Sequence, residues 1–264
     1  MRIYLLFSVL ILLFGCGPAT PSNNNNNAAV NNTKKANSVP KYGFEIVKSY
    51  PHDGKAFTQG LVFDEGFLYE GTGELGESTL RKVDLASGKV VLKHELPDEV
   101  FGEGITILGD EIFQFSWRNR MGWVYNLADF KLLREFTYQG EGWGMTNDGT
   151  NIFISDGTHV IRVVNPADFK TTRTISVKDE AGRLLMKLNE LEWVKGEIWA
   201  NIWHSEEIGK PNHIARIDPA DGKLLGWIDL GGISPDDQND EDESENTLNG
   251  IAYDPATDRI FVTG

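Results

Sequence analysis

From residue 42 onward, apolar and polar positions alternate in short runs, and Gly, Asp and Asn separate the runs. Alternation with a period of two puts one face of a strand against a core. The breakers are residues that favour turns. No stretch holds a helical period long enough to predict a helix. The pattern predicts an all-β chain.

The runs repeat in pairs. Gln59-Gly60-Leu61-Val62-Phe63, the turn Asp64-Glu65-Gly66 and Phe67-Leu68-Tyr69-Glu70-Gly71 read as one hairpin. The pattern returns at Glu103-Gly104-Ile105-Thr106-Ile107 with Ile112-Phe113-Gln114-Phe115, and at Trp143-Gly144-Met145-Thr146 with Ile152-Phe153-Ile154-Ser155. It returns again at Asn189-Glu190-Leu191-Glu192-Trp193 with Ile198-Trp199-Ala200-Asn201, and at Asn249-Gly250-Ile251-Ala252-Tyr253 with Ile260-Phe261-Val262-Thr263. A second hairpin alternates with the first. Its copies are centred on Val83-Asp84-Leu85-Ala86-Ser87-Gly88, Tyr125-Asn126-Leu127-Ala128-Asp129, Val164-Asn165-Pro166-Ala167-Asp168 and Ile217-Asp218-Pro219-Ala220-Asp221-Gly222. Two hairpins make a four-stranded blade. A period of about 40 to 50 residues is the propeller range, so the repeats predict a five-bladed β-propeller. The fifth repeat lacks its outer hairpin. Residues 44–50 supply one strand and close the ring. The other strand is expected after Gly264, so the last blade is either short or truncated at the C-terminus.

A radial repeat places equivalent positions around one axis. The residues opening the inner hairpins are Gln59, Glu103, Trp143, Asn189 and Asn249. They are expected to converge at one mouth of the central channel. Trp117 and Trp203 end the second strands of two repeats and are expected to rim it. The competing reading is a wet channel whose polar residues satisfy one another. Five different polar or aromatic groups at one equivalent place favour a pocket. Glu103 is the only acid of the ring. Aromatic walls raise a carboxyl pKa, which suits proton transfer near neutral pH.

Charge and composition narrow the function. The net charge of −14 argues against nucleic acid, which needs a basic footprint. Part of the excess is the run from Asp236 to Glu245, which reads as a solvated loop and lacks the spacing of a calcium loop. His94, His159, His204 and His213 show no zinc spacing. Pro51-His52-Asp53 reads as a structural turn, because adjacent side chains on an extended segment point apart. Neither a serine nucleophile elbow nor a phosphate loop is found. Trp123, Trp193, Trp199 and Trp227 are expected to pack between blades.

The N-terminus reads as a targeting segment. Met1-Arg2 is followed by an apolar run over residues 3–14 and then Gly15-Cys16. The run has signal-peptide length. It resembles a bacterial lipoprotein signal, in which the cysteine becomes the lipidated first residue. Cys16 is the only cysteine, which rules out an intramolecular disulfide. The expected organisation is a signal over 1–16, an Asn-rich flexible tether over 17–41 and a propeller catalytic domain over 42–264. The expected location is the cell envelope, facing the periplasm or the exterior.

Tyr50-Pro51-His52-Asp53, Phe57-Thr58-Gln59-Gly60-Leu61, Tyr69-Glu70-Gly71-Thr72-Gly73, Phe101-Gly102-Glu103-Gly104-Ile105-Thr106, Glu141-Gly142-Trp143-Gly144, Ser155-Asp156-Gly157-Thr158, Leu188-Asn189-Glu190-Leu191-Glu192 and Leu248-Asn249-Gly250-Ile251-Ala252-Tyr253 follow one another along residues 42–264. Together they resemble the plant- and bacterial-type glutaminyl-peptide cyclotransferases. The chain departs from that pattern in the missing last strand, the acidic insertion before Thr247 and the lipoprotein-like start. The resemblance implies a five-bladed propeller that converts N-terminal glutamine of peptides to pyroglutamate and releases ammonia. It implies Glu103 as the proton-transferring acid, and Phe57, Gln59, Trp143, Asn189 and Trp203 as substrate pocket. Trp117 and Asn249 join the substrate site from the repeats alone. No catalytic metal or other catalytic cofactor is expected; a structural metal ion is compatible but has no assigned place. The expected partners are peptides or proteins with N-terminal glutamine and, through the lipid alone, a membrane; the expected state is a monomer. The alternative function is a non-catalytic, lipid-anchored propeller that binds peptides or glycans in the same channel.

Overall fold

The structure, a computed structural model, describes residues 4–10, 38–233 and 247–264. Among them there is no α-helix; one short 3-10 turn, Ser205–Ile208, interrupts the strands. The strands form a propeller-like arrangement of antiparallel sheets. In the first sheet the order from the inside outward is Thr58–Asp64, Phe67–Thr72, Thr79–Asp84 and Lys89–Glu95. The second sheet repeats this from Gly102–Leu108 to Leu132–Thr137, and the third from Met145–Asn147 to Thr171–Ser176. The fourth begins at Leu188–Val194 and ends at Leu224–Asp229, where Lys41–Tyr42 adds a parallel strand. The tether expected to reach residue 41 thus gives way to paired backbone there.

The last sheet departs from expectation. Its order is Ile251–Asp254, Arg259–Val262, Tyr4–Leu10 and Glu45–His52. The expected pairing of the 44–50 region with this sheet is present, but the strand between comes from the apolar N-terminal run rather than from beyond Gly264. The physical reason is edge chemistry: an apolar run satisfies the unpaired backbone of two flanking strands equally well from either end of the chain.

The hydrophobic clusters lie between sheets. Tyr69 and Leu80 of the first sheet pack with Ile105, Ile112 and Tyr125 of the second. Phe113 and Val124 pack with Ile152 and Val164 of the third. Phe153 and Ile161 pack with Leu191 and Ile198 of the fourth. Val194 and Trp199 pack with Ile251 and Ile260, and Phe261 returns to Leu61 and Leu68 of the first sheet. Each fully buried side chain of this kind is worth about 1.5–3 kcal/mol. Trp193 stacks on Phe153 across a joint at 5.3 Å, which is the inter-sheet role expected for it.

The innermost strands approach closely where they carry glycine. A β-carbon on Gly60 would lie 2.5 Å from the Ile105 nitrogen, and one on Gly104 would lie 2.8 Å from the Met145 nitrogen. The fourth sheet breaks the series, since Glu190 stands in the equivalent place. Its Oε2 accepts the Ile251 N–H at 3.0 Å and its Oε1 the Leu61 N–H at 3.4 Å. This fully buried side chain thus ties the fourth sheet to both the last and the first. His52 is also structural. Its Nε2 meets Glu70 Oε1 at 2.8 Å, and Thr58 Oγ1 donates to the same oxygen at 2.6 Å.

Candidate active site

The five ring positions share one local device. In the second sheet Gly102 pairs with Ser116 and Ile105 with Gln114, which leaves Glu103 and Gly104 opposite one residue. In the fourth, Leu188 pairs with Ile202 and Leu191 with Ala200, which leaves Asn189 and Glu190 opposite one residue. In the first, Gln59 is extra between the pairs Thr58–Thr72 and Gly60–Gly71. In the third, Trp143 and Gly144 both bond Ser155, and in the last, Asn249 and Gly250 both bond Thr263. A bulge bends the strand and re-aims a side chain. It turns each ring residue toward one shared cavity.

All eight pocket residues expected from the sequence line one cavity of about 390 Å³: Phe57, Gln59, Glu103, Trp117, Trp143, Asn189, Trp203 and Asn249. That size falls within the range of small-molecule sites, roughly 300–1,000 Å³. Cys16 lies outside the described residues. The cavity also takes in Glu74, Phe101, Arg118, Glu141 and Thr247, which sequence reasoning missed. A signal for three of them was present. Phe57 precedes its ring residue by two positions; Phe101, Glu141 and Thr247 do the same in their repeats. The fourth-sheet equivalent, Lys187, has its Nζ 5.1 Å from the Trp203 ring centre.

The walls form an aromatic arc. Phe57 meets Phe101 edge-on at 6.2 Å, and Phe101 meets Trp117 at 5.6 Å. Trp143 meets Trp203 edge-on at 5.4 Å. Between the two halves stands Glu141, which accepts the indole N–H of both Trp117 and Trp143. Burial pushes the Glu141 carboxyl up, but these donors and the Arg118 guanidinium outweigh it and hold the group below the usual carboxylate range.

Glu103 is the opposite case. It is buried, and Oε2 has no hydrogen-bond partner among the described residues. Burial pushes its carboxyl well above the usual range, and the Glu141 charge adds to the rise. The neighbouring amides are held in one sense. Asn249 Nδ2 donates to the Thr58 carbonyl at 3.0 Å and to Gln59 Oε1 at 2.8 Å. A backbone carbonyl only accepts, so Asn249 is fixed with its nitrogen toward it. Gln59 must then accept with its oxygen and keep its N–H2 for another partner.

Polar side chains further along the innermost strands are satisfied by neighbouring strands. Glu192 Oε1 accepts the Tyr253 N–H at 2.8 Å, and burial pushes that carboxyl up to about 8. Asn147 Nδ2 donates to Thr106 Oγ1 at 2.7 Å. None of these residues lines the cavity. Among the described residues no three His, Cys, Asp or Glu side chains come together as a metal site.

A propeller-like sheet arrangement with an aromatic pocket, oriented amides and one buried, unpartnered acid defines a class: propeller-like proteins with a small-molecule-sized site where their innermost strands begin. Within it, residues 20–264 match the family described as glutamine cyclotransferase, and the chain belongs to that family. It is 41% identical over 222 residues to glutaminyl-peptide cyclotransferase of Arabidopsis thaliana, covering 83% of this chain and 67% of the plant protein. It is similar to the crystal structure of Myxococcus xanthus glutaminyl cyclase, with a TM-score of 0.76 and 34% identity over 86% of this chain and 93% of the other. A Bacteroides caccae protein of unknown function shares the fold at a TM-score of 0.51 and 16% identity, over 69% of this chain and 70% of that one.

Proposed function

We propose that the protein cyclises N-terminal glutamine of peptides and proteins to pyroglutamate, with Glu103 as the proton carrier. The observation that carries this reading is the buried Glu103 carboxyl, with its unpartnered oxygen and raised pKa, in a pocket of aromatic walls and oriented amides. Membership of the glutamine cyclotransferase family supports it.

The chemistry is intramolecular. The substrate's α-amine attacks its own side-chain amide carbon, a C–N bond forms, the C–NH2 bond breaks and ammonia leaves. The site mainly holds the near-attack shape and manages protons. The amine must be neutral to attack, and desolvation of the amine in the pocket favours its neutral form. Glu103 takes the proton from the attacking nitrogen and gives it to the departing one. Atoms and charge balance without any co-reactant. Gln59, held by Asn249, offers its N–H2 to the carbonyl oxygen as negative charge develops there. Asn189 orients the amide, and Phe57, Trp117, Trp143 and Trp203 enclose the side chain.

The deciding experiment is stoichiometric ammonia release from a peptide with N-terminal glutamine, with and without a chelator. The expected result is turnover that EDTA leaves unchanged. Binding without turnover would favour a non-catalytic propeller, and loss of turnover with EDTA in a chain that stays folded would count against the metal-free mechanism.

We further infer a closed five-bladed ring. The sequence of inter-sheet clusters supports it, because the last of them joins Phe261 to Leu61. We also propose that Cys16 is lipidated and tethers the domain to the cell envelope through the Asn-rich segment that ends ahead of the paired strand Lys41–Tyr42. This reading makes residues 1–15 a segment removed on maturation and leaves Cys16 as the first residue, which would take the strand Tyr4–Leu10 out of the last sheet. Cys16→Ser is expected to move the protein from the membrane to the soluble fraction; an unchanged distribution would refute the anchor.

A further inference from the structure

Glu141 sits on the segment that leads into the third sheet, two residues before Trp143. Its Oε2 accepts the Trp117 indole N–H at 2.8 Å and the Trp143 indole N–H at 3.0 Å. The two rings come from different sheets. Trp117 follows the second strand of the second sheet, and Trp143 leads the third. The other carboxylate oxygen, Oε1, accepts Arg118 Nε at 3.1 Å, and that guanidinium lies 3.6 Å from the Trp117 ring centre.

An indole N–H is a donor only, and one in a half-buried wall needs an acceptor. A charged acceptor makes a shorter and stronger bond than a neutral one. An indole is also rigid, so fixing its N–H and one edge fixes the plate. The Trp143 ring also meets Trp203, and the Trp117 ring also meets Phe101. One oxygen therefore joins the two halves of the aromatic arc across the boundary between two sheets.

We propose that Glu141 is a positioning residue that pins Trp117 and Trp143 at a set separation and so fixes the width of the pocket for the glutaminyl side chain. It does this without touching the reacting atoms. The proposal deepens the cyclisation reading and rests on it. The carboxylate has a second effect through its charge, which adds to burial in raising the Glu103 pKa. The other ionisable groups around the pair are few. Tyr138 feels the Glu103 charge, Arg118 pairs with Glu141, and Glu74 lines the same cavity. Arg162 Nη2 donates to the Glu141 carbonyl at 3.2 Å and pairs with Asp156 at 3.5 Å.

The test compares the full chain with Glu141→Ala and Glu141→Gln, using a glutaminyl peptide, the pH dependence of kcat/KM and tryptophan emission. Glu141→Ala leaves both indoles without their acceptor. It is expected to lower kcat/KM by about 100-fold, mostly through KM, the scale of a wall displaced by about 1 Å, with red-shifted emission. Glu141→Gln keeps one acceptor oxygen and is expected to bring KM back to within about threefold of wild type, as retained indole bonds require. It removes the charge, so the limb of the profile that reports Glu103 moves to lower pH. If Glu141→Ala does not fold, the glutamine variant alone decides. Wild-type KM and pH profile in the variants, or a glutamine variant no better than alanine, overturn the proposal. A wild-type chain that releases no ammonia refutes the cyclisation reading instead.

Discussion

Replacing Glu103 with glutamine is expected to lower kcat for glutaminyl-peptide cyclisation by about 10²–10⁴-fold, the usual contribution of a positioned acid–base group. The swap is nearly isosteric, so the bulge at Glu103-Gly104 and the neighbouring walls keep their shape. The proton carrier acts in the transition state, so kcat and kcat/KM fall together while KM stays close to wild type. The residual activity loses the pH limb that belongs to Glu103. Stability gives an independent reading. A carboxyl whose pKa is raised by folding favours the native state only below its unfolded value, about 4.3. It costs stability as pH rises from there through the folded value. Burial and the Glu141 charge both act in this direction on Glu103. The glutamine variant is therefore expected to melt at or above the wild-type temperature at pH 8. A folded Glu103→Gln protein that turns over at the wild-type rate would sink the assignment. So would one whose melting temperature falls sharply, because Glu103 would then be a structural group.

The reach of the sequence follows from what periodicity encodes. Hairpins such as residues 103–116 were legible because alternation and turn residues are local properties. The ring was legible because equivalent repeat positions share a radius. The bulges that aim Gln59, Glu103 and Asn189 were not, since a bulge is a difference in length between two paired strands. Glu141 opens the motif Glu141-Gly142-Trp143-Gly144, yet its role depends on the Trp117 indole arriving from another sheet. Glu190 occupies a place that is glycine in the other repeats, and only packing reveals that its carboxylate reaches two other sheets. The apolar run near the N-terminus fits a signal and a strand alike, because a short apolar stretch has no distinguishing period.

Gly144→Ala is expected to be among the most damaging single substitutions in the protein, although it adds one methyl group and the residue does not have a positive φ. The reason is proximity. An added β-carbon would overlap the Asn189 carbonyl oxygen and lie 2.7 Å from the Glu190 Cα. These are backbone atoms of the neighbouring innermost strand, so no rotamer change relieves the clash. Ser155 Oγ donates to that same Asn189 carbonyl at 2.7 Å and accepts the Gly144 N–H at 2.7 Å, which ties the two strands at this level. Pushing them apart would break that link and turn Asn189 away from the pocket that it lines with Trp143. Overpacking at a rigid contact costs about 3 kcal/mol, and for a domain of this size that corresponds to a fall in Tm of roughly 6–12 °C. Activity should drop further than stability explains, because Asn189 and Trp143 flank the contact. Gly43 is the control, since a β-carbon there would meet nothing within 4 Å. Gly43→Ala should stay within about 0.5 kcal/mol of wild type, as exposed substitutions usually do. If thermal melts show Gly144→Ala to be as mild as Gly43→Ala, the innermost strands are not in backbone contact, and the ring positions owe their convergence to something other than close-packed strands.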